Sequence, residues 1–404
     1  NLIPGPEAFK LYDTFGFPID LTEIIAGERG LQVDLVGFER ALEEQRDRSR
    51  EVHSQGKGSI SISPALSGHG EVANWVEGKK AIPRFVGYDN TEAETDIVAY
   101  RKVGNQIELL LGENPFYAES GGQVSDTGTI TGDGWTVAVT GVRKDPRGQV
   151  ISGLVTGDPR LGPVKATVDR ARRRDIERNH SATHLVHWAL RKYLGPHVRQ
   201  QGSLVEPGRL RFDFSHHGPI EPALLRSIER EVYDQVLENW VVDTRELPYT
   251  DAIKLGAMAF FSEKYGDRVR VVQMGPSLEL CGGTHVRTTG QLGLFRFEGQ
   301  GGVAAGVRRI EAITGPEAYR SMAQEEALLE QIAETLRAHP DQVLKKLDQV
   351  RQEKGKLEAR LEQLLKIGAA ASEPQGDTRE IRGVKVTLGT TEVEDRDEVA
   401  SSAD

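Results

Sequence analysis

At 404 residues the chain is long enough for two or three domains with a sizeable core. Its 38% apolar and 28% charged residues exclude disordered and fibrous classes. No apolar run reaches the roughly 18 residues of a membrane helix, and the single cysteine, Cys281, excludes an internal disulfide, so a reducing, cytoplasmic setting without a membrane is expected. The first residue is Asn1, no signal-peptide pattern follows, and the chain reads as a piece of something longer. The net charge of −10 argues against a nucleic-acid partner only on average. Between Asp158 and Asp213 twelve Lys and Arg face six Asp and Glu, a local excess compatible with phosphate binding or with plain solvated surface.

In chain order, residues 1–70 read as helices and a linker. Ala8, Phe9, Leu11, Tyr12 and Phe15 make one apolar face that Gly16 and Pro18 end. Asp20 is placed to cap a short helix with Leu21, Ile24 and Ile25, and Asp34 a third, charged one. Ser54–Gly70 has the composition of a linker. Residues 71–168 alternate in short runs: Ile97–Tyr100, Gln106–Leu111, Thr127–Ile130, Trp135–Val142, Val150–Val155 and Val164–Val168. Gly-rich turns separate them, which predicts a small β-barrel or strongly curved sheet.

Residues 169–315 mix helices over Ile176–Leu194 and Pro222–Trp240 with a strand over Arg209–Phe214, an α+β pattern. Over 316–367 the positions Val343, Leu347, Val350, Leu357, Leu361 and Leu364 step by four and three, interrupted only by Lys354, which predicts a coiled-coil or helical-hairpin arm. Residues 368–404 read as a linker and the start of a further β-element. The whole is α+β: a helical segment, a small barrel, an α+β domain and a helical arm.

His180 and His184 lie four apart in a helix and so project from one face. Cys281 and His285, also four apart, flank Gly282-Gly283-Thr284, whose glycines allow a tight turn. Together they make a two-His, one-Cys, one-His set with the donor chemistry of one tetrahedral zinc ion. Ser181 stands where zinc peptidases carry their general-base glutamate, which disfavours a peptidase.

Three segments are candidates to line a pocket. The Gly-Gly turn Phe116–Gln123 carries Ser120, Gly121, Gly122 and Gln123, and the stretch His197–Ser203 carries Gln200. The Gly-rich run 301–311 ends in Arg308 and Arg309, placed either to face phosphate or to pair with Glu311. It has neither a phosphate-loop lysine nor a dinucleotide fingerprint.

Arg178–Leu185, Cys281–His285, the Gly-Gly-Gln loop and Val303–Glu311 together resemble the editing domain of the alanyl-tRNA synthetase family, and Phe9–Pro18 resembles the end of that family's tRNA-recognition domain. The resemblance covers nearly the whole chain. It implies a fragment: 1–70 the helical end of the tRNA-recognition domain plus linker, 71–168 the barrel, 169–315 the zinc editing domain, 316–367 the arm, and 368–404 a truncated C-terminal domain. ATP would then belong to a catalytic domain upstream of Asn1, since no class II motifs for adenylate are found here. Gly299–Gly302 departs from the acidic residue that the family often shows in that turn.

What the resemblance implies is hydrolysis of the ester that joins Ser or Gly to the 3′ end of tRNA(Ala). A synthetic pocket for Ala rejects Gly and Ser poorly, whereas a second site that hydrogen-bonds the serine hydroxyl can discriminate. The zinc ligands are His180, His184, Cys281 and His285; Cys281 and Gln200 are the catalytic candidates. Gln200, Ser120 and Gln123, in that order, are candidates to sense the hydroxyl, with Gly121 and Gly122 beside them. Arg308 and Arg309 would meet tRNA(Ala) near its acceptor end. A homodimer through the C-terminal region of the full-length protein is expected. Asp13 and Asp20 read better as caps or surface carboxylates than as acceptor-stem contacts. Two alternatives stay open on the residues alone, a non-catalytic zinc-stapled tRNA-binding module and another zinc hydrolase. Four protein ligands suit a closed structural zinc, whereas hydrolytic zinc keeps one position for water.

Overall fold

The computed structural model describes residues 2–15, separate positions between 22 and 40, and then 74–78, 82–259, 266–371 and 377–388. Two compact units divide the chain, Asn1–Tyr319 and Arg320–Asp404. In the first, helix α1 (Gly5–Phe15) forms where the apolar face was expected. Asp34 accepts the Gly37 amide at 2.9 Å, as a cap does. The expected Asp20 cap, most of its helix and the Ser54–Gly70 linker lie outside the described residues.

Six antiparallel strands form a closed barrel: β1 (Glu92–Val103), β2 (Gln106–Leu111), β3 (Gly128–Gly132), β4 (Trp135–Asp145), β5 (Gly148–Thr156) and β6 (Gly162–Val168). Their order is β6-β3-β4-β5-β2-β1, and β6 pairs back onto β1 to close it. Alternation drives this. Trp135, Val137 and Val139 point inward while Thr136 and Ala138 face solvent, so each strand supplies one apolar face to a shared interior with Ile107, Leu109, Ile130 and Ala166. Closure leaves few strand edges to protect.

Helix α2 (Arg170–Leu194) leaves the barrel directly. Asp169 caps it, accepting the amides of Ala171 and Arg172, both at 3.1 Å. That cap starts the helix six residues before the apolar period at Ile176 reveals it. Strands β7 (Gln200–Val205), β8 (Leu210–Ser215), β12 (Phe295–Ala304) and β13 (Val307–Thr314) form a sheet in the order β7-β8-β13-β12. Helices α2 and α3 (Pro222–Leu237) cover one face of it. Leu185, Leu190, Phe212, Phe214, Ile228, Val232 and Ile310 fill the layer between. A smaller sheet of β9 (Val242–Pro248), β10 (Arg268–Met274) and β11 (Ser277–Leu280) ends at the threshold of Cys281.

Two contacts lock the barrel to this layer. The Gly122 carbonyl accepts the Val205 amide at 2.7 Å, so the Gly-Gly loop docks on the edge of β7. Arg173, fully buried in α2, pairs with buried Asp126 and donates to the carbonyls of Gly87 and Pro115. In the second unit, α4 (Val343–Ala371) is one continuous helix on which Leu347, Val350, Leu357, Leu361 and Leu364 are exposed. A hairpin of β14 (Asp377–Ile381) and β15 (Val384–Leu388) follows, and the rest of the expected β-element lies outside the described residues.

Candidate metal centre and cleft

Helix α2 holds His180 and His184 with stacked rings, 5.4 Å between centroids. The turn after β11 brings up Cys281 and His285, and the four donor atoms lie within 4.8 Å of one another. Cys281 Sγ is 3.4 Å from His180 Nε2, and His184 Nε2 is 3.2 Å from His285 Nε2. Zinc bonds of about 2.05 Å to nitrogen and about 2.3 Å to sulfur, arranged tetrahedrally, would set nitrogens about 3.3 Å apart and sulfur about 3.6 Å from nitrogen. The His184–His285 and Cys281–His180 pairs are close to that spacing, and the four donor atoms together span no more than 4.8 Å.

The outer hydrogen bonds select the right imidazole nitrogens. Gln123 Oε1 meets His180 Nδ1 at 2.7 Å and Glu279 Oε2 meets His184 Nδ1 at 2.5 Å, which turns both Nε2 lone pairs inward. Glu279, itself buried, also meets His187 Nδ1 at 2.8 Å. Burial alone would raise the Cys281 thiol, but His180, His285 and His184 hold it well below its ordinary value. Burial would likewise raise Glu279, yet His184 and His187 pull its carboxyl down. The Cys281 thiolate and the Glu279 carboxylate hold the His184 imidazole up to about 10 against its burial, and together they carry two negative charges that a divalent ion would balance. Gly283 is obligatory here, because a Cβ would lie 1.9 Å from His180 Cε1.

The centre opens into a cleft of about 590 Å³ between the barrel and the helix-and-sheet layer. That volume lies within the range of about 300–1,000 Å³ that small-molecule pockets span. Ser120, Gly121 and Gln200 line it, together with His180, His184 and Cys281. Ser120 Oγ accepts from Lys144 Nζ at 2.9 Å, and Gln200 Nε2 donates to Ser203 Oγ at 3.2 Å. Gly122 packs against Ser203 instead, at a φ of +86° where any Cβ would clash. Gln123 is fully buried: its Oε1 also accepts the Thr284 amide at 3.0 Å and its Nε2 donates to Thr284 Oγ1 at 2.9 Å. Its amide is committed to the metal ligand and the turn and does not line the cleft.

The paired arginines are engaged inside the sheet. Arg309 grips Asp213 with two bonds, of 2.7 and 2.9 Å, because the β8–β13 register places them opposite. Arg308 donates to Gln300 Oε1 at 3.2 Å, and Glu311 pairs with Arg209. Lys144, Glu279, His187 and Tyr88 were not singled out from the sequence. The available signal for Glu279 was its place two residues before Cys281 in an extended run, which puts both on one face.

Residues 1–172 match the family model described as tRNA synthetases class II (A). Residues 269–311 match that of the threonyl and alanyl tRNA synthetase second additional domain. The chain is similar to the alanine–tRNA ligase of Geobacillus thermodenitrificans, at 41% identity over all of this chain and 47% of that protein. It is 43% identical to the alanine–tRNA ligase of Idiomarina loihiensis, over 90% of this chain and 42% of that one. It is also 43% identical to that of Listeria monocytogenes, over 100% and 46%. The chain belongs to the alanyl-tRNA synthetase family, and it spans about half the length of these relatives. Among the described residues no helix is long and apolar enough to cross a membrane.

Proposed function

We propose that this chain carries the editing activity of an alanine–tRNA ligase, hydrolysing the aminoacyl ester of Ser-tRNA(Ala) or Gly-tRNA(Ala). The observation that carries this reading is the opening of the four-donor metal centre into a cleft lined by Ser120 and Gln200. His180, His184, Cys281 and His285 would hold the metal, taken as zinc. Bound there, zinc supplies a fixed positive charge for the aminoacyl group. Gln200 and Ser120 offer polar atoms that a serine hydroxyl can satisfy and an alanine methyl leaves unpaired. Lys144, at the cleft rim, is placed for a phosphate of the tRNA acceptor end. Arg308 and Arg309 belong to the same proposed tRNA contact, Arg308 beside Gln300 and Arg309 held by Asp213.

The test is hydrolysis of labelled Ser-tRNA(Ala) by the chain, its Cys281→Ala form and its Gln200→Ala form. The reading expects turnover by the first, loss with Cys281→Ala, and a reduced preference for serine with Gln200→Ala. Four protein ligands favour a second reading, a non-catalytic zinc-stapled tRNA-binding module. Tight tRNA binding with no hydrolysis would establish that instead. To the same proposal belong a coiled-coil or helical-hairpin arm built on the exposed stripe of α4 and a homodimer through the C-terminal region of the full-length protein, read out by sedimentation.

A further inference from the structure

The turn that carries Cys281 is held from outside as well as from within. Three successive carbonyls, those of Cys281, Gly282 and Gly283, each accept a side-chain hydrogen bond. Arg270 Nη1 donates to Cys281 O and to Gly283 O, both at 2.9 Å. Tyr88 Oη donates to Gly282 O at 2.8 Å. The two donors also support each other, with the Arg270 guanidinium carbon 4.2 Å from the Tyr88 ring centre, within cation–π range.

With its carbonyls drawn outward, the turn directs its amides inward. Gly283 N donates to Cys281 Sγ at 3.4 Å, and Thr284 N donates to Gln123 Oε1 at 3.0 Å. A sharp Gly-Gly turn has no side chains of its own to fix its peptide planes, so the planes are set by what binds them. Arg270 lies on β10 beside the turn, but Tyr88 comes from the segment entering the barrel, 194 residues away in sequence. Tyr88 and Gly282 both line the cleft.

From this geometry we propose that Tyr88 and Arg270 are positioning residues for the metal centre: they fix the peptide planes of Cys281–Gly283 and thereby aim the thiolate, so that the barrel completes the centre from across the cleft. The proposal rests on the reading of the four donors as a metal site. It predicts that changes at Tyr88, which touches no donor atom, alter metal binding. Outer partners of this kind are worth about 10–100-fold in metal affinity.

The test uses Tyr88→Phe and Arg270→Met in the full chain, with Zn²⁺ affinity measured by chelator competition and Co²⁺ as a spectroscopic probe. Tyr88→Phe keeps the ring over Arg270 and deletes one hydrogen bond, so it reports on the turn even where Arg270→Met fails to fold. The expected result is Zn²⁺ binding weakened about 10-fold by Tyr88→Phe and more by Arg270→Met. The cobalt–thiolate absorption band should be shifted or weakened in each variant. Zn²⁺ affinities within twofold of the parent and superimposable cobalt spectra would overturn the proposal. A parent chain that takes up neither metal would sink the metal reading instead. The metal-free chains then decide the positioning role through alkylation of Cys281, the one cysteine present. A rate changed severalfold by Tyr88→Phe supports it, and equal rates overturn it.

Discussion

Arg173→Met is the substitution through which the joint between barrel and metal helix is best measured. The Arg173 side chain is 2% exposed and that of Asp126 1% exposed, so both charges have left water. Arg173 Nε reaches both Asp126 oxygens at 3.0 Å, and its two Nη atoms take the carbonyls of Gly87 at 2.6 Å and Pro115 at 2.9 Å. Methionine fills similar length but leaves the carboxylate buried with only the Tyr117 amide, at 2.7 Å, for support. Breaking a buried pair from one side costs about 3–5 kcal/mol, and the two abandoned carbonyls hold the value toward the upper end unless water enters. Denaturant unfolding followed by circular dichroism should show that loss. Adding Asp126→Asn to Arg173→Met should recover a good part of it, because the stranded charge is gone. A single-variant cost below about 1 kcal/mol, or simple additivity in the double variant, would show that the Arg173–Asp126 pair does not hold this joint.

Gly283→Ala should abolish zinc uptake while leaving the barrel folded, since its Cβ would overlap His180; equilibrium dialysis showing stoichiometric zinc in that variant would count against the packing argument. Glu177, largely buried one turn before His180, is pushed by burial up to about 7, with Arg173 opposing, from an ordinary 4.5. Its ionisation therefore destabilises the fold progressively between those pH values, a penalty absent below pH 4.5 and complete above 7. Glu177→Gln removes it, so the variant should gain stability above pH 7 by up to about 3 kcal/mol, a figure already net of the Arg173 attraction, and gain none below 4.5. Thermal unfolding across pH checks this, and a difference equal at pH 4 and pH 8 would contradict it.

Local pattern made some of this legible and long-range contact made the rest invisible. The six barrel strands were readable because inward and outward residues alternate and turn residues such as Asp133-Gly134 punctuate them. The metal quartet was readable because a helix and a tight turn each bring residues four apart together. The start of α2 was not, because its first turns are arginine-rich and only Asp169 marks them. Strand register, not composition, decides that Arg309 meets Asp213 and not Glu311. Nor does a Gly-Gly-Gln triplet say which way its glutamine turns. Here Gln123 points at His180, while Ser120 and Gln200 remain in the cleft. Tyr88 carries no local mark of its reach to Gly282, since nothing in its neighbourhood encodes a partner 194 residues away.

The proposed function is a metal-dependent ester hydrolysis that separates serine from alanine. Its most direct test is deacylation of Ser-tRNA(Ala) and Ala-tRNA(Ala) in parallel, by the chain as isolated and after removal of its metal by a chelator. The expected result is rapid loss of serine, little loss of alanine, and no hydrolysis of either after chelation until zinc is restored. Equal rates on both substrates, or rates that chelation leaves unchanged, would contradict it.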